Sequence, residues 1–544
     1  MSGRPTCRAP GTAGDEPRPT IEIGRIEGNG AMTIDIPERF NITTGLLDVH
    51  LDSGRADRPA YYTAAGITTY RDLAALTARV GHTLRDLGVE MEQRVILILP
   101  DSVEFVAAFV GAARIGAVPV PVSTLATSVD YAYIFADARP TACVVAAEFL
   151  PRLRPFWRDL ARPPKVLVVG DPGEFLGFAA EVARRGDRLP APDTHKDDAC
   201  YWLYTSGTTG RPKGVVHLHH DMVYCIAPYS QDVLGVAPGD RCLSVPRLFF
   251  SYGLCNSLFI PLMSGASAVL FAERAEPARV LELIGRHRPT VFFSVPTSYA
   301  ALLKEMESRP ADLSSVRVCL SAGETLPVPI FHRWRERTGV EALDFIGSTE
   351  VGYAYISNWP GQVRPGSTGK LLPVFEARLV DEAGRPVGPD EVGELLIKGE
   401  SVAAGYWNQH ERTKTAFQGE WFRTGDKFTC DTEGYYTYVG RSDDLLRVGG
   451  AYVAPVEVEA VLLAHPDVLE AAVIGAPDEH GLVKPKAFVV LRDGPRAGDG
   501  AIRDLQGFVK ERLAPYKYPR WIEFVPEIPK TATGKIQRFK LRAP

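Results

Sequence analysis

The sequence predicts an α/β protein built on largely parallel sheets, with a small β subdomain and a separate α+β module at its C-terminal end. Three observations carry that reading. Unbroken apolar runs, such as residues 95–99 ahead of Pro100, alternate with amphipathic stretches, as expected of strands buried on both faces and joined by helices. From about residue 374 the apolar runs shorten and turns such as Glu382-Ala383-Gly384 intervene. After Gly440 the order becomes turn, helix, strand, strand, helix, strand over roughly 100 residues, a plausible domain size. A chain of 544 residues is in any case too long for one core.

Residues 1–30 are rich in Gly, Pro and charge, show no periodicity, and are expected to be a disordered tail. Ordered structure is expected from Ile36. Thr69 and Asp72 form a capping-box pattern ahead of Leu73, Leu76, Val80, Leu84 and Leu87, with Gly88 as the stop. A helix over 102–115 and a strand over 117–120 follow, then strands at 142–147, 165–170, 267–271, 290–295 and 316–321. Helices are expected at 277–287, 297–307 and 328–337. Residues 31–440 therefore read as a large domain of two α/β sheets plus a barrel-like β subdomain. Residues 441–544 read as the smaller module, with helices at 455–464 and 502–513 and strands at 468–474, 485–491 and 521–525.

The composition is that of an ordinary soluble protein, 45% apolar and 23% charged. A formal net charge of −5 argues against a nucleic-acid surface. Eight cysteines without a C-x-x-C pair read as reduced thiols. The most apolar run, 103–122, holds Glu104, Arg114 and Pro119, which argues against a membrane span. No signal-peptide core is visible, and the cytoplasm is the expected location.

Residues 204–214, Tyr-Thr-Ser-Gly-Thr-Thr-Gly-Arg-Pro-Lys-Gly, suit a polyphosphate. The hydroxyls of Thr205, Ser206, Thr208 and Thr209 can turn toward phosphate oxygens, Gly207 and its fellow glycines permit close approach, and Lys213 adds charge. The G-x-x-x-x-G-K-[ST] spacing is not met, because Arg211 and Pro212 follow Gly210. At Asp344-Phe345-Ile346-Gly347-Ser348-Thr349-Glu350 a strand end runs into a glycine, two hydroxyls and a carboxylate, a donor suited to Mg²⁺ beside phosphate. Thr424-Gly425-Asp426 sets an acid after a tight turn. Gly440-Arg441-Ser442-Asp443-Asp444 marks the domain boundary, and Pro529-Lys530-Thr531-Ala532-Thr533-Gly534-Lys535-Ile536 ends in a lysine after a hydroxyl/glycine turn. Each alone has a bland reading as a turn, a cap or a solvated end.

In this order and spacing the five segments resemble the acyl-adenylate-forming superfamily, which includes acyl- and aryl-CoA ligases, adenylation domains and luciferases. The resemblance implies substrates ATP and coenzyme A with Mg²⁺, and a C-terminal domain that moves between two half-reactions. It implies that Thr205, Ser206, Gly207, Thr208, Thr209 and Lys213 cover the β- and γ-phosphates. Gly323, Glu324, Thr325, Asp344, Phe345 and Ile346 would line the adenine. Thr349 would meet the α-phosphate, Glu350 would bind Mg²⁺, and Asp426 with Arg441 would hold the ribose. Asp443 would be the hinge, Gly449 and Gly450 part of the thiol-acceptor face, and Lys535 the catalytic lysine of adenylation.

Within the superfamily the chain resembles benzoate-type CoA ligases through Leu248-Phe249-Phe250-Ser251-Tyr252-Gly253-Leu254 and Gly347-Ser348-Thr349-Glu350. That resemblance puts Phe250, Ser251, Tyr252, Gly347, Gly352, Tyr353 and Ala354 around a flat acyl pocket. Ser251, Gly352 and Ala354 depart from the benzoate pattern by adding a hydroxyl and room. A substituted benzoate is therefore expected, 2-aminobenzoate first, with hydroxybenzoate or benzoate next. The competing expectations are a stand-alone enzyme that loads an acyl carrier protein, and an inactive binding protein. His217, His219 and His220 are expected as polar residues at a helix start, and Cys225, Cys242 and Cys255 as buried packing.

Overall fold

The computed structural model describes residues 22–23, 34–205, 211–442, 446–448, 451–479, 482–492, 497–514, 516–530 and 536–542. Of the expected tail, Glu22–Ile23 is described, and it pairs antiparallel with Ile34–Asp35. The rest of the expected tail lies outside the described residues, and the continuous description starts at Ile34.

The first sheet has five parallel strands, in the order Val118–Pro121, Arg94–Ile98, Ala142–Ala146, Lys165–Val169 and Leu176–Gly177. Its centre is buried on both faces, which is why Val95, Ile96, Leu97 and Ile98 show no alternation. The second sheet has nine strands. Six of them, Ala342–Gly347, Val318–Ser321, Val291–Ser294, Arg241–Ser244, Ser267–Val269 and Pro59–Thr63, run parallel in that spatial order. Antiparallel strands Ala354–Ser357 and Lys370–Leu371 extend one side and Gly66–Thr69 the other.

A third, antiparallel sheet of Ala199–Thr205, Lys213–Leu218 and Gly405–Tyr406 lies beside them. The β subdomain joins Glu376–Val380, Gly393–Lys398, Trp421–Cys430 and Phe417–Gln418, with Tyr436–Arg441 on the far side of Trp421–Cys430. A buried apolar cluster runs through the first two sheets and reaches Phe422 and Phe428 of this subdomain. The C-terminal module has its own core, including Val458, Leu462, Val473, Val489, Leu505 and Val509, from helices Pro455–Leu463 and Asp499–Lys510 and the sheet of Val468–Pro477, Val483–Leu491 and Trp521–Phe524.

Helix Tyr70–Asp86 starts on the expected reciprocal cap, Thr69 with Asp72. Helix Val103–Arg114 is capped by Ser102 and buried almost all round. Its last residue, Arg114, reaches Asp48 at 3.0 Å in the interior. The seven described cysteines are free thiols, six of them buried. Among the described residues no helix is long and apolar enough to cross a membrane.

His220 stands at a helix start as expected, as the residue that caps Asp221–Pro228, but His217 departs from expectation. His217 belongs to strand Lys213–Leu218, and helix Asp221–Pro228 starts only after His220. His217 and His219 are fully buried. His219 Nδ1 accepts the Ile42 N–H at 3.3 Å, and burial pushes its pKa down to about 3. His50, bonded to the Leu262 carbonyl and accepting from Arg55 Nε at 3.0 Å, is pushed down to about 4 by burial, with the Arg55 charge adding to the effect. In the unfolded chain both rings titrate near 6.5, so below that pH the unfolded state binds protons that the folded state refuses. Stability should therefore fall as pH drops from about 6.5 toward 4, by up to about 1.4 kcal/mol per pH unit for each ring. His219→Asn keeps an acceptor for Ile42 and removes one proton site. Its urea midpoint should vary less steeply between pH 7 and 5 than that of the parent, and an unchanged slope would count against this account.

Candidate active site

Strands Ala199–Thr205 and Lys213–Leu218 form an antiparallel ladder whose last pair is Thr205 and Lys213. Ser206, Gly207, Thr208 and Thr209 lie outside the described residues. Lys213 turns its ammonium inward, 2.9 Å from Glu350 Oε1. Lys213 Nζ also donates to Tyr406 Oη at 2.7 Å, and that hydroxyl donates to the same Glu350 oxygen at 2.9 Å. Glu350 is 8% exposed. Burial alone would raise its pKa, but the charge and hydrogen bond of Lys213, with the Tyr406 hydroxyl, hold the carboxyl below its ordinary range. An ionised carboxylate, a cation and a phenol thus share one point. Thr349 is half-buried beside them in the single turn Thr349–Val351.

Asp426 and Arg441 face each other as cross-strand partners. Arg441 Nη1 lies 3.1 Å from Asp426 Oδ1 and donates to the Thr424 carbonyl at 3.0 Å. Gly323 and Glu324 follow strand Val318–Ser321, next to strand Ala342–Gly347, which carries Asp344, Phe345 and Ile346. Both lie at the carboxyl edge of parallel strands, where open α/β sheets take ligands. The Asp344 side chain is buried, Oδ1 has no hydrogen-bond partner among the described residues, and burial pushes its carboxyl well above the usual range.

The aromatic segment opens a short helix, Ser251–Leu254, directly after Phe250. A Cβ at Gly253 would overlap the Arg247 carbonyl, so the turn before that helix closes backbone on backbone. Asp101 anchors it, accepting the Leu248 N–H at 3.0 Å with Arg247 at 3.7 Å. Burial raises the Asp101 carboxyl to about 6, with Arg247 and Leu248 pulling the other way. Tyr252, Phe345, Tyr353 and Tyr229 form one aromatic cluster, with ring centroids 5.3–5.6 Å apart for Tyr252–Phe345, Phe345–Tyr353 and Tyr229–Tyr353. Gly352 has φ +92°, a conformation that suits glycine. Ala354, paired with Gly347, is fully buried.

The hydroxyl protons of this wall are already committed. Ser251 Oγ donates to the Gly352 carbonyl at 2.6 Å, and Tyr353 Oη to Asn256 Oδ1 at 2.6 Å. Tyr252 Oη points at the carbonyls of Ser294 and Leu320, at 3.1 and 3.3 Å.

The structure therefore brings Lys213, Thr349 and Glu350 together, pairs Asp426 with Arg441, and ties Ser251 to the chain just after Glu350. Asp443, Gly449, Gly450 and Lys535 lie outside the described residues. Sequence reasoning missed Tyr406, Asp101 and the inward-facing His217. Tyr406 reaches the site because Gly405–Tyr406 pairs with Val215 and Val216, a partnership between distant segments that no local pattern announces.

The signature of AMP-binding enzymes matches residues 50–407, and that of the AMP-binding enzyme C-terminal domain matches 457–535. The chain belongs to the AMP-binding enzymes. It is 46% identical over 517 residues to a benzoate–CoA ligase of Thauera aromatica, covering 95% of this chain and 98% of the relative. A 4-hydroxybenzoate–CoA/benzoate–CoA ligase of Rhodopseudomonas palustris is 42% identical, covering 92% and 94%. Among solved structures, an anthranilate CoA ligase in complex with anthranoyl-AMP superposes with a TM-score of 0.90 at 42% identity, covering 93% of this chain and 98% of that one. This AMP-binding enzyme is an AMP-forming aryl-CoA ligase that works through an aryl-adenylate.

Tyr406→Phe removes a hydroxyl bonded to both an ammonium and a carboxylate while keeping the ring. Hydrogen bonds to charged groups are worth about 1.5–3 kcal/mol. Acid-dependent ATP–pyrophosphate exchange should fall by about ten- to a hundred-fold; exchange at the parent rate would remove Tyr406 from the working site.

Proposed function

We propose that this ligase activates a substituted benzoate, with 2-aminobenzoate as first choice, and transfers the aryl group to coenzyme A. The single observation that carries the choice is the proton inventory of the acyl wall. Ser251, Tyr252 and Tyr353 have each given their proton away, so what they and the Gly352 carbonyl have left to offer is lone pairs. A ring substituent that donates, such as an amino group, finds a partner there. A substituent that only accepts would be buried unpaired, at a cost of about 1–3 kcal/mol. The relatives named above span benzoate, hydroxybenzoate and anthranilate, and hydroxybenzoate and benzoate stand next in this reading.

In the first step the acid's carboxylate attacks the α-phosphorus of ATP and pyrophosphate leaves, giving aryl-AMP. In the second the CoA thiol attacks the acyl carbon and AMP leaves. Both steps gather negative charge, so catalysis rests on positioning and fixed positive groups. Lys213 would release Glu350 to meet the β- and γ-phosphates, with Thr349 at the α-phosphate. Asp426 and Arg441 would hold the ribose, and Gly323, Glu324, Asp344, Phe345 and Ile346 the adenine. Lys535 would neutralise charge where carboxylate and α-phosphate meet. Asp443 would be the hinge about which 441–544 turns to present Gly449 and Gly450 to the thiol.

The donor set at Glu350 fits Mg²⁺, a hard cation that takes one or two carboxylates together with phosphate oxygens. Glu350, ionised despite its burial, would hold the ion, which supplies positive charge beside the phosphates when bound.

Across a panel of benzoates, pyrophosphate release should be fastest with 2-aminobenzoate. Ser251→Ala should lower kcat/KM for 2-aminobenzoate relative to benzoate by about two- to ten-fold, the worth of one hydrogen bond. Equal kcat/KM for the two acids in the parent enzyme would refute the amino preference. Separately, Lys535→Ala should slow ATP–pyrophosphate exchange by about 10²–10³, the usual loss for one preorganised electrostatic contact. Normal exchange in that variant would overturn the role given to the lysine.

A further inference from the structure

The turn Thr349–Val351 is held at three successive carbonyls. The Glu350 carbonyl accepts the Ala403 N–H at 2.8 Å, and the Val351 carbonyl accepts Ser401 Oγ at 2.8 Å. The Thr349 carbonyl lies 2.6 Å from His217 Nε2. His217 is the one anchor of the three that is itself held by a buried carboxyl, Asp221. It sits four residues beyond Lys213 on the strand that leaves the Gly/Thr segment.

The His217 ring is fully buried and lies flat on Tyr201, with centroids 4.9 Å apart and planes 14° from parallel. Its Nδ1 is 2.6 Å from Asp221 Oδ2, a carboxylate buried just as completely. His220 Nε2 stands 3.1 Å from the other Asp221 oxygen.

The positions of the protons follow from chemistry. A carbonyl has no proton to give, so His217 Nε2 must carry one. A 2.6 Å contact between Nδ1 and Oδ2 also needs a proton between them. Asp221 Oδ2 also accepts the Leu218 N–H at 3.1 Å. One proton is thus shared between the ring and the buried carboxyl, while Nε2–H donates to the Thr349 carbonyl. The pair is neutral overall, which is what permits it to be buried.

We propose that His217 and Asp221 form a positioning dyad that sets the Thr349–Val351 turn for the adenylation step. The dyad joins two separate segments, the strand behind the phosphate loop and the turn that presents Thr349 and Glu350. It touches neither ATP nor acid, and acts through the backbone of Thr349. This inference rests on the reading that Thr349 and Glu350 meet ATP. Thioester formation, in which no new bond to phosphorus is made, does not draw on that turn in the same way.

The test separates the half-reactions in the full-length enzyme. Asp221→Asn is nearly isosteric but puts an amide where the carboxyl was, so the short 2.6 Å contact that fixes the ring on Nδ1 is lost. His217→Phe combined with Asp221→Asn removes both donors, keeps an aromatic ring on Tyr201, and leaves no buried carboxylate unpaired. With benzoate or 2-aminobenzoate as the acid, each variant should lower kcat for ATP–pyrophosphate exchange by about ten- to a hundred-fold, with KM for the acid within about two-fold. Conversion of supplied aryl-AMP and CoA to aryl-CoA should stay within about two-fold of the parent. A parental exchange rate in either variant overturns the dyad, and so does an equal loss in both half-reactions, which would mark a merely structural role. If the double variant does not fold, Asp221→Asn decides alone. Glu350→Gln serves as the control: undiminished exchange there sinks the reading of the turn and the dyad with it, whereas a slow Glu350→Gln beside a fast Asp221→Asn sinks the dyad alone.

Discussion

A carboxylate can stay ionised inside a protein only if something repays the water it has lost, and Glu350 sets that demand here. Lys213 meets it through charge and Tyr406 through a hydroxyl. The three side chains come from the strand after the Gly/Thr segment, the turn at the end of the large sheet, and the short edge strand Gly405–Tyr406. Satisfying one buried charge therefore requires three parts of the chain to arrive together. Much of the surrounding architecture can be understood as what holds them there.

The same economy governs the aromatic cluster around Ser251, the acyl wall of the proposed function. Its aromatic rings supply shape, while the hydroxyls of Ser251 and Tyr353 are spent on a carbonyl and an amide oxygen of the protein itself. In the proposed function, polarity is thereby turned from a general stickiness into a directional preference. Recognition of a donor and rejection of an acceptor can come from the same oxygen, because the oxygen's proton is already elsewhere.

Much of this was legible in the chain before any coordinates. The reciprocal cap at Thr69 and Asp72, the two-sided burial of residues 95–98 and the helix after Ser102 follow from local rules. Asp426 and Arg441 were expected to share a task, and they stand opposite one another on neighbouring strands. What the sequence leaves unread has a common physical source. His217 was expected at a helix start because polar side chains crowd residues 217–221; the partners that let it be buried are Asp221, four residues on, and a carbonyl 132 residues away. Tyr406 owes its place to pairing with Val215. Asp101 serves the segment around Leu248, 147 residues away. Tertiary pairing of polar groups has no period in sequence, so it is the layer that propensity and hydrophobic pattern leave blank.

The Gly253 turn has a consequence for diversification. Because its backbone abuts the Arg247 carbonyl with no room for a side chain, and the Leu248 amide is tethered to Asp101, the lining around Ser251 resists insertion, deletion or drift of the loop. New acids would have to be accommodated by exchanging individual side chains on an unyielding frame. Under the proposed function, a lineage retuning its diet, or an engineer doing the same, is steered toward point substitution at Ser251, since Gly352, at φ +92° and packed against Met222 and Cys225, is closed to a side chain.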